Sequence, residues 1–277
     1  MKAHFRTIFR GLGQVILQNN ALTGLIFLAG IFYNSWLLGL GALFGDIVST
    51  TTAKLLKYPK EDIENGLYGF NGTLVGIAVW FLYGLNGVTT IAIVLGSILS
   101  AVIMHELKRK IPAYTAPFVI STWIVILGLK LTHLAPLLTS TTSTTNSFNL
   151  FSATGMGVGQ VMFQGNIITG LIFLLAILAN SNLSAIYALY GALGGSLLAL
   201  LFSLPLSMIN IGLFGYNAVL CGVALGGKKL NTFLLTTLAI ILSVLLTYGF
   251  SKTGIPTLTA PFVLATWGVL LMKNLYK

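Results

Sequence analysis

Neutral polar side chains recur in pairs along this chain: Gln14 with Gln160, Gln18 with Gln164, Asn20 with Asn166, Asn71 with Asn217, and Thr115 with Thr259. The chemistry open to amides and hydroxyls is hydrogen bonding rather than proton transfer or attack. An amide buried without partners costs on the order of a few kcal/mol. Repeated amides in an apolar chain therefore either join helices and satisfy backbone freed at helix breaks, or line a polar path. For Asn71 and Asn217, inside glycine-rich turns, the first reading leads. For Gln14 and Gln160 the path leads, because each precedes an apolar residue by three, Leu17 and Phe163, on what would be one helical face. Gln18 and Gln164 fall on that face too, near the expected helix end.

Apolar partners are paired as well. Phe70 and Leu74 stand i, i+4, as do Tyr216 and Leu220. Such a stripe is ordinary packing unless its counterpart faces it across a pore.

Ionisable groups offer little. All five acids, Asp46, Glu61, Asp62, Glu64 and Glu106, precede residue 147, and no histidine follows it. Glu61, Asp62 and Glu64 come just after Pro59 and Lys60, as at a helix N-terminus, where the dipole favours them. Glu106 and His105 adjoin Lys108, Arg109 and Lys110, an interfacial pattern. Asp46 alone is a candidate for a charge at membrane depth. No metal-ligand spacing and no nucleophile with a base is visible, so the expectation is neither an enzyme nor a cofactor protein. The single Cys221 lies in an apolar run, which excludes an internal disulfide and suits a small buried side chain.

The elements that must hold these residues are membrane helices. Of 277 residues, 56% are hydrophobic and only 7% charged, with mean hydropathy +0.93; a soluble domain carries about 25% charge. At about 20 residues per span, the chain fits some ten to twelve segments with short loops and no separate domain outside the membrane. The basic N-terminal stretch lacks an apolar core ending in a cleavage site, so no removable signal peptide is expected.

Four blocks occur twice in the same order. GLGQVILQNN (Gly11 to Asn20) matches GVGQVMFQGN (Gly157 to Asn166), and TGLIFL at Thr23 recurs at Thr169. GLYGFNGTLVGIA at Gly66 matches GLFGYNAVLCGVA at Gly212, again at an offset of 146, while IPAYTAPFVISTW at Ile111 matches IPTLTAPFVLATW at Ile255 at 144. The chain thus reads as two homologous halves, 1–146 and 147–277, joined by a polar stretch from Leu138 to Phe151 expected to be a surface linker. Each half should hold a short helix around Gln14 or Gln160, then spans from 21 or 167, over 36–56 or 183–204, from Gly66 or Gly212, over 87–107 or 232–251, and over 115–132 or 259–273. Paired, interrupted segments at matching positions point to a midplane pathway.

The net charge of +10 would suggest nucleic acid in a soluble protein. Here the cations cluster between apolar runs, as cytoplasmic loops require, without the interleaved aromatics of a nucleic-acid surface. Lys2, Arg6 and Arg10 open the first half, whereas the second has no basic residue before Lys228 and Lys229, where the first half is uncharged. That exchange is what inverted topology produces.

At these residues the sequence resembles the urea transporter family. The family signature, close to L-P-x-x-T-x-P-F once per half, stands here as IPAYTAPF and IPTLTAPF, with Ile replacing the first Leu in both. GLYGFNGTLVG and GLFGYNAVLCG resemble its second repeated block, and GQVILQNN and GQVMFQGN its pore-helix block. The resemblance implies an all-α integral membrane protein of two inverted repeats, with about ten transmembrane helices and two re-entrant half-membrane pore helices. It also implies a homotrimer with one pore per protomer. By motif, Gln14 and Gln160 would be pore-helix amides at the two mouths. Leu17, Phe70 and Leu74 with Phe163, Tyr216 and Leu220 would form flat apolar slots, and Thr115 and Thr259 the midplane constriction. Leu17 stands where some members have phenylalanine, which would widen one slot, and Tyr216 adds a hydroxyl where the first half has Phe70.

Urea is small, planar and neutral, with four N–H donors and one carbonyl. Entering an apolar pore dry would forfeit hydrogen bonds, each costing about 1–3 kcal/mol. Acceptors along the slot edge can replace its hydration stepwise, while apolar walls give an ion no compensation. The expectation is passive, channel-like urea transport through a pore between the repeats, in a bacterial inner membrane as the compact length suggests. Alternatives are a channel for another small neutral solute (ammonia, short amides, water) or an ion-coupled symporter using Asp46 or Glu106. An ammonia channel would call for paired pore histidines, and the second half has none.

Overall fold

Asparagine and serine side chains start six of the described helices. Asn20 accepts from the backbone N–H groups of Leu22 and Thr23 at 2.8 and 3.2 Å, and Asn166 accepts from Ile168 and Thr169 at the same distances. Each relieves two of the donors that a helix N-terminus leaves unpaired. A computed structural model describes residues 2–138 and 147–275, with side chains over 4–138 and 147–273. The middle of the expected linker, 139–146, lies outside the described residues.

Contacts divide the chain into two units, Met1–Ser140 and Thr141–Lys277. The first holds α1 (Lys2–Gln14), α2 (Ala21–Asn34), α3 (Trp36–Leu55), α4 (Lys60–Glu64), α5 (Gly69–Tyr83), α6 (Gly87–Leu107) and α7 (Ala116–Thr132). The second holds α8 (Leu150–Gly159), continued by a 3-10 turn (Gln160–Met162), then α9 (Ile167–Asn180), α10 (Asn182–Leu201) and α11 (Leu206–Asn210), followed by α12 (Tyr216–Leu225), α13 (Leu230–Ser251) and α14 (Ala260–Leu275). Apart from that 3-10 turn, the order and type of elements agree between units, and no strand occurs among the described residues.

By length and apolarity, α3, α6, α10 and α13 each suffice to cross a bilayer; α8 with its turn and α9 form a further pair bent by 72°. The remaining apolar helices run 10–17 residues, shorter than the roughly 20 that span about 30 Å of hydrocarbon. The long helices are polar inward and apolar outward. On α3, Asp46, Ser49 and Thr50 are buried while Leu40, Ile47 and Leu55 are exposed. On α6, Ser97 and Ser100 are buried while Ile91 and Leu95 are exposed. Such a helix is clothed by lipid rather than water.

Each unit is centred on one helix buried on nearly every side, α5 in the first and α12 in the second. Small residues let the neighbouring helix approach to backbone contact. A Cβ on Gly45 would overlap the Gly72 carbonyl, and one on Gly76 would overlap the Gly41 carbonyl, which binds α3 to α5. Gly191 and Gly222 do the same for α10 and α12, against the carbonyls of Ala218 and Tyr187.

A single residue joins α2 to α3. The Ser35 N–H donates to the Ile31 carbonyl at 2.7 Å, ending α2, and its Oγ accepts the Leu38 N–H at 3.3 Å, starting α3. Ser181 repeats both bonds between α9 and α10, to Ile177 and from Ser184.

Candidate permeation-site residues

The two glutamines favoured for a path lie at helix ends. α1 stops at Gln14 in a Schellman-type turn, with the Leu17 N–H donating to the Gln14 carbonyl at 2.9 Å and the Gln18 N–H to the Gly13 carbonyl at 3.0 Å. In the second unit Phe163 donates to the Gln160 carbonyl, and Gln164 to that of Gly159, both at 3.1 Å. Leu17 and Phe163 occupy the left-handed region, at φ 58° and 61°. A non-glycine residue there costs about 1–2 kcal/mol, and such strain concentrates at functional sites. The shared helical face expected for Gln14 and Leu17 is therefore corrected: the helix has ended before Leu17, because Asn20 opens α2 only three residues later. Gln18 and Gln164 turn inward and donate to the carbonyls of Ile16 and Met162.

Each glutamine grips the next loop. The Gln14 Nε2 donates to the Asn65 carbonyl at 3.1 Å, and the Gln160 Nε2 to the Ile211 carbonyl at 3.1 Å. Donation to a carbonyl fixes which end of the amide is nitrogen. Among the described residues neither Oε1 has a protein donor, so each remains an acceptor. In the first unit Arg10 steadies the same loop, donating to the Glu64 carbonyl at 3.1 Å, and Asn19 donates to the Asn65 side chain at 3.1 Å.

From those carbonyls the chain turns through Gly66 or Gly212, both left-handed at φ 74° and 79°, and enters α5 or α12. Phe70 and Leu74 are buried there, as are Tyr216 and Leu220. The Tyr216 hydroxyl donates to the Leu258 carbonyl at 2.6 Å; Phe70 has no group to do the same. Asn71 and Asn217 cap the last helices, their Oδ1 atoms accepting the N–H groups of Phe118 at 3.0 Å and Phe262 at 3.2 Å. This is the backbone-satisfying role their glycine-rich setting suggested. Thr115 and Thr259, both buried, immediately precede α7 and α14, next to left-handed Tyr114 (φ 45°) and Leu258 (φ 46°). Within each unit, glutamine, aromatic–leucine pair and threonine are thus linked through one central helix.

Asn65 and Ile211 escaped sequence reasoning, because a backbone carbonyl leaves no residue-type signature. The neighbouring glycines Gly66 and Gly212 were the available hint.

Asp46 is fully buried, midway along α3. Its carboxylate accepts from the Thr50 hydroxyl at 2.9 Å and the Thr73 hydroxyl at 3.2 Å. A Cβ on Gly11 or Gly69 would overlap it, so it fastens α1, α3 and α5 together. Ala192 occupies the matching position of the second half.

Several other titratable groups of the first unit gather near the ends of α3 and α6. The Tyr58 ring stacks on His105 at 3.8 Å, the Tyr68 hydroxyl meets the His105 Nδ1 at 3.1 Å, and Lys108 pairs with Asp62. Burial draws the Lys108 ammonium below the ordinary lysine range, while burial and the nearby Glu106 charge raise the Tyr58 phenol.

Helices apolar outward and polar inward, several interrupted at paired positions, define a polytopic integral membrane protein of the all-helical class. Within that class, the family model described as Urea transporter matches residues 5–274. The chain is 31% identical to Urea transporter 1 of Ovis aries over 307 aligned positions, covering 98% of this chain and 78% of the relative. It is 30% identical to Urea transporter 1 of Mus musculus over 303, with the same coverage of each. The chain belongs to the urea transporter family.

Proposed function

We propose that this chain conducts urea passively across a membrane, as a channel without a coupling ion. Family membership over residues 5–274 supports the substrate. The observation that carries the mechanism is the fixed amide of Gln14 and of Gln160, each holding a loop carbonyl through nitrogen at 3.1 Å and leaving its oxygen to accept. A urea N–H meets that oxygen without any rearrangement of the protein, so one hydration bond is exchanged at little cost. In this reading Phe70, Leu74 and Leu17 in one half, and Tyr216, Leu220 and Phe163 in the other, face the flat sides of the solute. Thr115 and Thr259 supply hydroxyls at the narrowest point.

The reading extends to architecture. The halves 1–146 and 147–277 are inverted repeats; the exchanged position of their basic residues supports it. Ten crossings follow when α2, α5, α7, α9, α12 and α14 join the four long helices, with α1 and α8 as half-membrane helices. Assembly as a homotrimer belongs to the same reading and rests on the family resemblance.

The test is stopped-flow urea efflux from proteoliposomes with no pH, sodium or voltage gradient. Fast flux above protein-free vesicles, rising linearly through low millimolar urea, is expected. Flux that appears only when a proton or sodium gradient is imposed would overturn the passive reading.

A further inference from the structure

One end of the first unit is strongly basic and gathers cations from four elements. Arg6 and Arg10 lie on α1; Lys54 ends α3 and Lys57 follows it. Lys60 opens α4, and Lys108, Arg109 and Lys110 follow α6. Contacts place these ends side by side: the Lys54 ammonium meets the His4 Nδ1 at 2.5 Å, Arg10 reaches the Glu64 carbonyl, Lys108 pairs with Asp62, and Tyr58 stacks on His105.

Among the described residues eight cations stand there against four acids, Glu61, Asp62, Glu64 and Glu106. Two of the acids are engaged, Asp62 by Lys108 and Glu64 by Lys60 at 3.6 Å. Among the described residues Arg6, Lys57, Arg109 and Lys110 are exposed and make no ion pair. Such concentrated charge repels itself unless an anion is present.

Interleaved with the cations are large apolar side chains open to the surroundings: Phe5, Leu55, Leu56 and Ile111. Leu55 is 77% exposed. Cations at helix ends beside outward apolar side chains match the depth at which a bilayer changes from hydrocarbon to phosphate. The matching end of the second half, around Leu204 to Ile211 and Ser251 to Thr253, carries only Lys252.

We infer that this basic end of the first unit is a docking surface for anionic phospholipid headgroups, with Lys57, Arg109 and Lys110 on the phosphate and Leu55, Leu56 and Ile111 among the first acyl carbons. Orientation in the membrane requires only that the cations face the cytoplasm. Retention of lipid also requires that they stand together and unpaired, as they do here. Lys57, Arg109 and Lys110 are not among the residues assigned to the permeating solute.

The experiment mixes detergent-solubilised protein with equal amounts of dioleoylphosphatidylglycerol and dioleoylphosphatidylcholine, repurifies it and measures bound lipid by mass spectrometry. Each surface cation strengthens anionic-lipid binding about fivefold at low ionic strength, so phosphatidylglycerol should be enriched at least about tenfold and lose most of that preference in high salt. The triple variant Lys57→Gln, Arg109→Gln, Lys110→Gln should lose the enrichment while eluting as a single species. The double variant Lys228→Gln, Lys229→Gln should keep it. Equal retention of the two lipids by the unaltered protein, or full enrichment in the triple variant, would overturn the inference. So would displacement of the lipid by inorganic phosphate, which would make this a free-anion site. The unaltered protein and its salt dependence decide the matter even if the triple variant aggregates.

Discussion

The side-chain oxygen of Asn71 accepts the backbone N–H of Phe118 at 3.0 Å. It satisfies one of the donors at the start of α7, where both residues are fully buried. Replacement by leucine leaves that N–H unpaired at a cost of about 1–3 kcal/mol. We expect Asn71→Leu to lower the midpoint of thermal unfolding in detergent by several degrees, and Asn217→Leu to match it through Phe262. An unchanged midpoint in both would mean the caps contribute nothing.

Gln14→Leu removes both the grip on the Asn65 carbonyl and the outward acceptor oxygen. Urea flux in proteoliposomes should fall about tenfold, the rate equivalent of about 1.4 kcal/mol. Gln160→Leu should act alike through Ile211. Undiminished flux in both, with protein folded and inserted, would remove the glutamines from the path.

Thr115→Val preserves shape and deletes a hydroxyl. If that hydroxyl serves the solute, Thr115→Val and Thr259→Val should each cut urea flux several-fold in protein that is folded and inserted. A lowered midpoint at full flux would assign the hydroxyls to structure instead.

Asp46→Asn separates the channel from the symporter. An asparagine still offers one oxygen to Thr50 or Thr73, so gradient-free urea flux should stay within about twofold, given the small net worth of one neutral hydrogen bond. Flux that collapses in Asp46→Asn, or that tracks an imposed proton gradient in the unaltered protein, would restore the carboxylate to the mechanism.

Gly24→Ala places a Cβ into the Phe9 carbonyl where α2 crosses α1, whereas Gly128→Ala meets nothing within 4 Å. Overpacking against backbone costs about 1–3 kcal/mol or more. The first variant should yield little monodisperse protein on size-exclusion chromatography and the second a normal amount. Equal yields would show that α1 shifts freely against α2.

Much of this architecture is legible in the sequence because lipid exposure and helix punctuation act locally. The spans read over 36–56 and 87–107 are the helices Trp36–Leu55 and Gly87–Leu107, each a long apolar run bounded by serine, asparagine or lysine. Pro59 does open a short helix with Glu61 and Asp62 in its first turn, and Cys221 is buried. The geometry around Gln14 was less legible. Leucine and phenylalanine carry no propensity for the left-handed conformation that Leu17 and Phe163 adopt, so the end of α1 could not be read from residue types. Nor could the partners of the glutamines, which are carbonyls that every residue possesses.

Ser35 both closes α2 and opens α3, and Ser181 does the same between α9 and α10, so these joints have no slack. One inserted residue would turn the following helix by about 100° and carry Gly41 and Gly45 away from α5. The blocks on either side of Ser35 and Ser181 keep their 146-residue register, and the register shifts to 144 only beyond Ala78, where the central helix runs on to Tyr83 in the first half and stops at Leu225 in the second. Insertions and deletions in this chain are therefore tolerated by place rather than by size: a change accepted at the end of α5 is a change of face at residue 35.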